Sequence, residues 1–164
     1  MRLFIAVQLS DELKNILTGT LHELKKAGVK GNYVPSQNLH LTLVFIGETK
    51  DVEKIKEAMK TVAFQPFRLS LSEMGHFDDL LWAGMKGGQK LSFLVKGLRE
   101  ALDQAGIDYG KQEFMPHITI IRRFSGNWKN VPAPKGDMMV KKISLMKSEQ
   151  KDGKRVYTEI AALK

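Results

Sequence analysis

Two six-residue segments of this chain form a weak internal repeat. Asn38-Leu39-His40-Leu41-Thr42-Leu43 lies in the first half and Met115-Pro116-His117-Ile118-Thr119-Ile120 in the second, with the two histidines 77 positions apart in 164 residues. From its histidine onward each alternates polar with branched apolar residues, the period of a strand that is half buried. His40 and Thr42 therefore leave one face of their strand while Leu41 and Leu43 leave the other. His117 and Thr119 repeat this opposite Ile118 and Ile120. A chain that carries this pattern twice, about half its length apart, is expected to fold as two similar lobes. Each lobe gives one strand to a shared cleft, within a single domain spanning residues 1–164.

The remaining elements fit that plan. Arg2–Leu9 reads as a strand. Ser10 or Asp11 caps a helix with Leu13, Ile16, Leu17, Leu21 and Leu24 at helical spacing, ended by Gly28. A second helix starts at Asp51 and carries Val52, Ile55, Met59 and Val62 on one side. Phe67–Met74 and Leu80–Met85 read as paired strands around a Gly75–Asp79 turn. Leu91, Leu94, Val95, Leu98 and Leu102 mark a third helix that Gly106 stops. His117–Ile121 is a short strand, Ser125–Asp137 a loop, and Val140–Ser148 with Arg155–Ala162 a hairpin around Asp152-Gly153. Strands and helices mix without regular alternation, so the expected class is α+β. The architecture is a bilobal duplicated fold: two antiparallel-type sheets flank a central cleft, with helices on the outer faces.

Composition narrows the chemistry. There are no cysteines, so a disulfide framework, a zinc-thiolate site and a thiol nucleophile are excluded. The N-terminal apolar run stops at Ser10-Asp11-Glu12, too short for a secretory core, and no stretch has bilayer-spanning length. The expectation is a soluble cytoplasmic monomer with no membrane partner. Twenty-six basic against eighteen acidic residues give a net charge of +8, and Lys129–Lys164 alone holds nine basic and four acidic residues. Such an excess attracts polyanions such as RNA, although it also serves as a plain solvated surface.

Two imidazoles facing one cleft suit phosphodiester cleavage. One ring can take a proton from water while the other gives one to the departing oxygen, because imidazole titrates near neutrality. Opposed rings fit in-line displacement at phosphorus, and the threonine hydroxyls can donate to phosphoryl oxygens as charge builds. Two histidines make a poor zinc site, with only Glu48 or Glu113 as possible third ligands. No metal or cofactor is expected. Phe45 and Trp82 could serve as base-stacking platforms, but Phe45 falls on the apolar face of its strand and Trp82 in an apolar run, so both read as core. His22 and His76 read as ordinary surface histidines.

Asn38-Leu39-His40-Leu41-Thr42-Leu43-Val44-Phe45-Ile46-Gly47-Glu48 and Pro116-His117-Ile118-Thr119-Ile120-Ile121-Arg122 resemble the paired H-x-T-x motifs of the 2H phosphoesterase superfamily. The nearest likeness is to the RNA 2′,3′-cyclic phosphodiesterases, formerly called 2′-5′ RNA ligases. Arg2-Leu3-Phe4-Ile5-Ala6, Phe67-Arg68-Leu69-Ser70-Leu71 and Leu81-Trp82-Ala83-Gly84 extend the resemblance over nearly the whole chain. It implies metal-independent opening of a 2′,3′-cyclic phosphate, on RNA or on a small cyclic nucleotide, to a 2′-phosphomonoester. It also implies His40 as proton donor, His117 as proton acceptor, and Thr42 and Thr119 as phosphate holders. By the same resemblance Arg122 contacts phosphate. Strict alternation instead puts Arg123 on the His117 face, unless the strand bulges or ends after Ile121. Two other readings use the same residues: a binding module for nucleotides or RNA ends, and a joining enzyme that runs the reaction backwards to a 2′-5′ bond.

Overall fold

The computed structural model describes residues 1–164 as nine strands, three α-helices and one short 3₁₀ turn. The first strand, β1 (Arg2–Gln8), is buried along Leu3–Val7 without alternation. It lies inside a four-stranded antiparallel sheet, so both of its faces are covered, and a continuous apolar run satisfies both. Its neighbours are β3 (His40–Glu48) and β8 (Ile143–Lys151), with β9 (Lys154–Leu163) at the edge in the order β3-β1-β8-β9. The second sheet runs β2 (Lys30–Tyr33), β6 (His117–Ser125), β5 (Leu80–Lys86), β4 (Phe67–Phe77), β7 (Asp137–Val140). All pairings in both sheets are antiparallel.

Helix α1 (Asp11–Lys26) begins where Ser10 Oγ accepts from the Leu13 amide at 3.2 Å, and it buries Leu13, Leu17, Leu21 and Leu24. Leu13 and Ile16 press against Gly136, beside the second sheet. Helices α2 (Val52–Lys60) and α3 (Gly88–Gln104) pack on each other, and α3 also touches β3. One core cluster of 34 buried residues draws on both sheets and all three helices, so the cleft walls stand on a single packed body. A smaller cluster of Phe4, Ala6 and Met146, with Tyr157 against it, lies on the opposite face of β1. It forms the floor beneath His40.

The α+β class, the two sheets and the outer helices agree with the expectation from sequence. Strands β2 and β7 differ from it. Lys30-Gly31-Asn32-Tyr33 has no apolar alternation, and its residues are exposed or half-buried, so only pairing with β6 makes it a strand. Asp137–Val140 runs from the last residue of the segment read as a loop to the residue read as the start of the final hairpin, and is a separate edge strand on β4. The β4–β5 hairpin also runs further than expected: Phe77 pairs with Leu80, which shrinks the turn to Asp78-Asp79.

Candidate active site

β3 and β6 come from different sheets and approach each other in space. Both strands carry the same irregularity. On β3, Ile5 pairs with Val44 and Ala6 with Thr42, which leaves Leu43 as an extra residue. On β6, Leu81 pairs with Ile121 and Trp82 with Thr119, which leaves Ile120 extra. A bulge of one residue reverses the side-chain phase beyond it. Leu43 and Val44 are accordingly both buried, as are Ile120 and Ile121. The fifth residue after each histidine then turns outward. These residues are Phe45 and Arg122.

This corrects the reading of Phe45 as a core residue: it is 59% exposed and lines the cleft. The same bulge explains how Arg122 joins the histidine face although alternation forbids it. Arg123 borders the cleft as well, but only through a left-handed backbone (φ 53°) at a second distortion, where β6 slips against β2. Gly31 sits under that slip. A Cβ there would lie 2.7 Å from the Ile121 side chain and 2.9 Å from the Arg122 carbonyl oxygen, and its φ of 147° is one that favours glycine.

The cleft has a volume of about 860 Å³ and gathers His40, Thr42, Thr119, Arg122 and Arg123 on its walls. His117 is two residues before Thr119 on the same strand face. It borders a second cavity of about 210 Å³, together with Phe77, Trp82 and Met115, whose lining shares no residue with the main cleft. Each imidazole is held in the same manner. His40 Nδ1 lies 2.6 Å from the Asn38 carbonyl oxygen, and His117 Nδ1 lies 2.6 Å from that of Met115. A carbonyl can only accept, so each Nδ1 carries the hydrogen and each neutral ring keeps its lone pair on Nε2. His40 Nε2 is 2.9 Å from Thr42 Oγ1.

Aromatic rings brace both histidines. Phe4 and Tyr157 stand 4.9 and 5.0 Å from the His40 ring, and Phe77 and Trp82 stand 5.4 and 6.3 Å from the His117 ring. Burial lowers the His40 pKa from its ordinary value, and the charges of Arg122 and His117 lower it further against the raising effect of the Asn38 carbonyl.

The other sequence candidates fall elsewhere. Glu48 pairs with the N-terminal amine at 3.2 Å, and no group of three His, Cys, Asp or Glu side chains is placed to hold a metal ion. His76 Nδ1 lies 2.9 Å from the Asp78 carbonyl oxygen, with its ring against Phe124 and Trp128, as a turn-supporting histidine would. Trp82 is half-buried beside His117 rather than in the main core. Sequence reasoning missed Tyr157, Phe4 and Arg155 as site residues. Tyr157 and Arg155 carried no local signal, because only the β8–β9 pairing brings them to the cleft. No helix is long and apolar enough to cross a membrane.

Comparison with known proteins agrees with this geometry. The chain is 35% identical over 130 residues to an RNA 2′,3′-cyclic phosphodiesterase of Archaeoglobus fulgidus, covering 74% of this chain and 72% of the relative. It is 29% identical over 143 residues to the protein of the same description from Thermotoga maritima, covering 80% and 75%. Among solved structures, apo E. coli LigT superposes with a TM-score of 0.85 at 26% identity, covering 99% of this chain and 95% of that one. E. coli LigT complexed with 3′-AMP superposes with a TM-score of 0.81 at 28% identity, with the same coverage. A family model described as the 2′-5′ RNA ligase superfamily matches residues 9–152, most of the chain. With both H-x-T-x strands meeting across one cleft, the chain belongs to the 2′-5′ RNA ligase superfamily, a branch of the 2H phosphoesterases.

Proposed function

We propose that this protein hydrolyses 2′,3′-cyclic phosphate ends of RNA or nucleotides to 2′-phosphomonoesters, without a metal, by acid-base catalysis between His40 and His117. The relatives named as RNA 2′,3′-cyclic phosphodiesterases support the reaction, and the LigT complex with 3′-AMP supports a nucleotide ligand in this fold. The observation that carries the mechanism is the pair of 2.6 Å contacts that fix each Nδ1 on a backbone carbonyl. They leave Nε2 as the working nitrogen of both rings.

His117 Nε2 takes a proton from water as the water oxygen bonds to phosphorus. The bond from phosphorus to the ribose 3′ oxygen breaks, and that oxygen receives the proton of a protonated His40. One water is consumed, the phosphate stays on the 2′ oxygen, and the two rings recover their starting states by exchange with solvent. Thr42 and Thr119 donate to the non-bridging oxygens, and the Arg122 guanidinium offsets the charge that develops there. A bound phosphate also draws His40 toward its protonated form, against the burial and the Arg122 charge that lower its pKa in the free site.

The protein acts as one domain over residues 1–164, in which two pseudo-symmetric lobes each supply one histidine. It works as a monomer in the cytoplasm. The deciding experiment is turnover of nucleoside 2′,3′-cyclic phosphates and cyclic-phosphate-ended RNA with chelator present. Turnover should persist in chelator and fall about 10²–10⁴-fold in His40→Ala and in His117→Ala, with the fold intact by circular dichroism. Undiminished turnover in either variant would end the two-histidine mechanism, and loss of turnover in chelator would end its metal independence.

A further inference from the structure

Arg2, Arg122, Arg123 and Arg155 border the main cleft, and no aspartate or glutamate lines it. None of the four forms an ion pair. Several lysines nearby are paired instead. On the same β8–β9 hairpin, Lys147 and Lys151 both lean on Glu149, and Lys142 pairs with Glu159 at 2.9 Å. What sets the cleft apart is that it gathers four guanidiniums with no carboxylate among the residues that line it. Four guanidiniums raise the free energy of one another there until an anion enters.

A cyclic phosphate carries a single negative charge, and Arg122 lines the cleft with His40, Thr42 and Thr119, ready to meet it. Arg2 and Arg155 belong to a separate place on the first sheet. Ser148 lies between them: Arg2 is its partner across β1–β8, and Arg155 Nη1 donates to its hydroxyl at 3.1 Å. With its amide oriented to satisfy both neighbours, Gln150 accepts from Arg155 Nη2 at 3.2 Å and donates to the Lys154 carbonyl. The Arg155 carbonyl in turn accepts from Asn38 Nδ2 at 3.1 Å, which ties this corner to the residue whose own carbonyl orients His40. The guanidinium is thus held by neutral partners that orient it and leave its charge uncompensated.

The spacing from the reacting centre is set by one strand. Tyr157 stands 5.0 Å from the His40 ring, and Arg155 is two residues further along β9, about 6.7 Å on, on the same face. That offset is on the order of one nucleotide.

We propose that Arg2 and Arg155 form a second phosphate site that binds the phosphate on the 5′ side of the terminal nucleoside, so that the preferred substrate is a cyclic-phosphate-ended RNA strand rather than a free cyclic mononucleotide. This rests on the cyclic phosphodiesterase reading above and names the substrate class for that site.

Three substrates test it: a nucleoside 2′,3′-cyclic phosphate, the same compound with a 5′-phosphate, and a dinucleotide ending in the cyclic phosphate. In the unaltered protein kcat/KM should be at least about tenfold higher for the second and third than for the first. In the double variant Arg2→Gln, Arg155→Gln that ratio should fall by about tenfold. Because the ratio is internal to each preparation, a partly unfolded variant lowers both rates and leaves it unmoved. The dependence of kcat/KM on salt should also lose about 0.7 in log–log slope for each phosphate contact removed. A ratio near one in the unaltered protein overturns the proposal, as does a ratio that survives both substitutions. A gain confined to the dinucleotide and insensitive to the arginines would mean that base or ribose contacts select the strand, and overturns it too. Absence of turnover on all three substrates would instead sink the phosphodiesterase reading itself.

Discussion

β3 and β6 use one backbone device to opposite ends. Both start with a histidine whose Nδ1 is tied to the carbonyl two residues earlier, continue through threonine, and bulge at the next apolar residue. Their surroundings then diverge. His40 sits over the Phe4–Ala6–Met146 floor with Thr42 at its Nε2, in a setting whose burial disfavours the charged ring. His117 opens on a smaller cavity walled by Phe77, Trp82 and the exposed Met115. The fifth position after each histidine is apolar on one strand and cationic on the other. A repeated motif thus fixes where groups stand, and the neighbouring strands decide what each group can do.

The largest effects should come from removing either imidazole. His40→Ala and His117→Ala should each cut turnover about 10²–10⁴-fold, and the double variant should lose little beyond the worse single one, because in the proposed mechanism the two rings act as a unit. Fully additive losses, read from single-turnover rates, would break the pairing of the strands. Next in size, Arg122→Gln should lower kcat/KM by about 10²-fold, while Arg123→Gln costs clearly less. Removing the Arg122 charge also takes away one cause of the low His40 pKa. The limb of the pH profile that His40 controls should therefore move to higher pH, and a limb that stays in place would detach Arg122 from His40.

Gly31 tests the backbone under that asymmetry. Gly31→Ala should cost about 1–3 kcal/mol in urea unfolding, since the new Cβ meets Ile121 and the Arg122 carbonyl. Wild-type stability in that variant would show that β6 needs no glycine beneath its slip. Thr42→Val and Thr119→Val should each reduce turnover roughly tenfold, with the shift in pH profile confined to Thr42, whose hydroxyl meets His40 Nε2. The smallest effect concerns stability. Burial makes His40 harder to protonate in the folded chain than in the unfolded one, so the unfolded state binds more protons between the two pKa values. Stability should be full above the ordinary imidazole range and decline as pH falls through it, levelling off below the depressed folded value. Urea midpoints measured across pH 4–8 should show a shallower decline in His40→Asn.

Much of this was readable before any coordinates. The Ser10 cap, the leucines of α1 and α3, and the Asp152-Gly153 turn are local signals, and each appears where its residues predict it. At that turn Asp152 and Gly153 both take positive φ, 52° and 76°, as a two-residue hairpin turn demands. The histidine and threonine pairs were equally plain, because period-two alternation survives up to Thr42 and Thr119. Phe45 and the choice between Arg122 and Arg123 were not readable. They depend on a bulge that no residue type announces, and one extra residue inverts every side chain after it. β2 was missed for a related reason: Lys30–Tyr33 is extended only because β6 offers it hydrogen-bonding partners.

The sequence by itself determined the α+β class, the helices and the two strands that bring imidazole and hydroxyl to a common face, because those follow from periodicity and caps within a few residues of each position. Tertiary structure alone decided which side of each bulge faces the cleft, which aromatic rings brace each histidine, and that Arg2 and Arg155 flank Ser148. Those are pairings between strands far apart in the chain. Their register is set by the whole sheet as it packs, so no local stretch of sequence carries it.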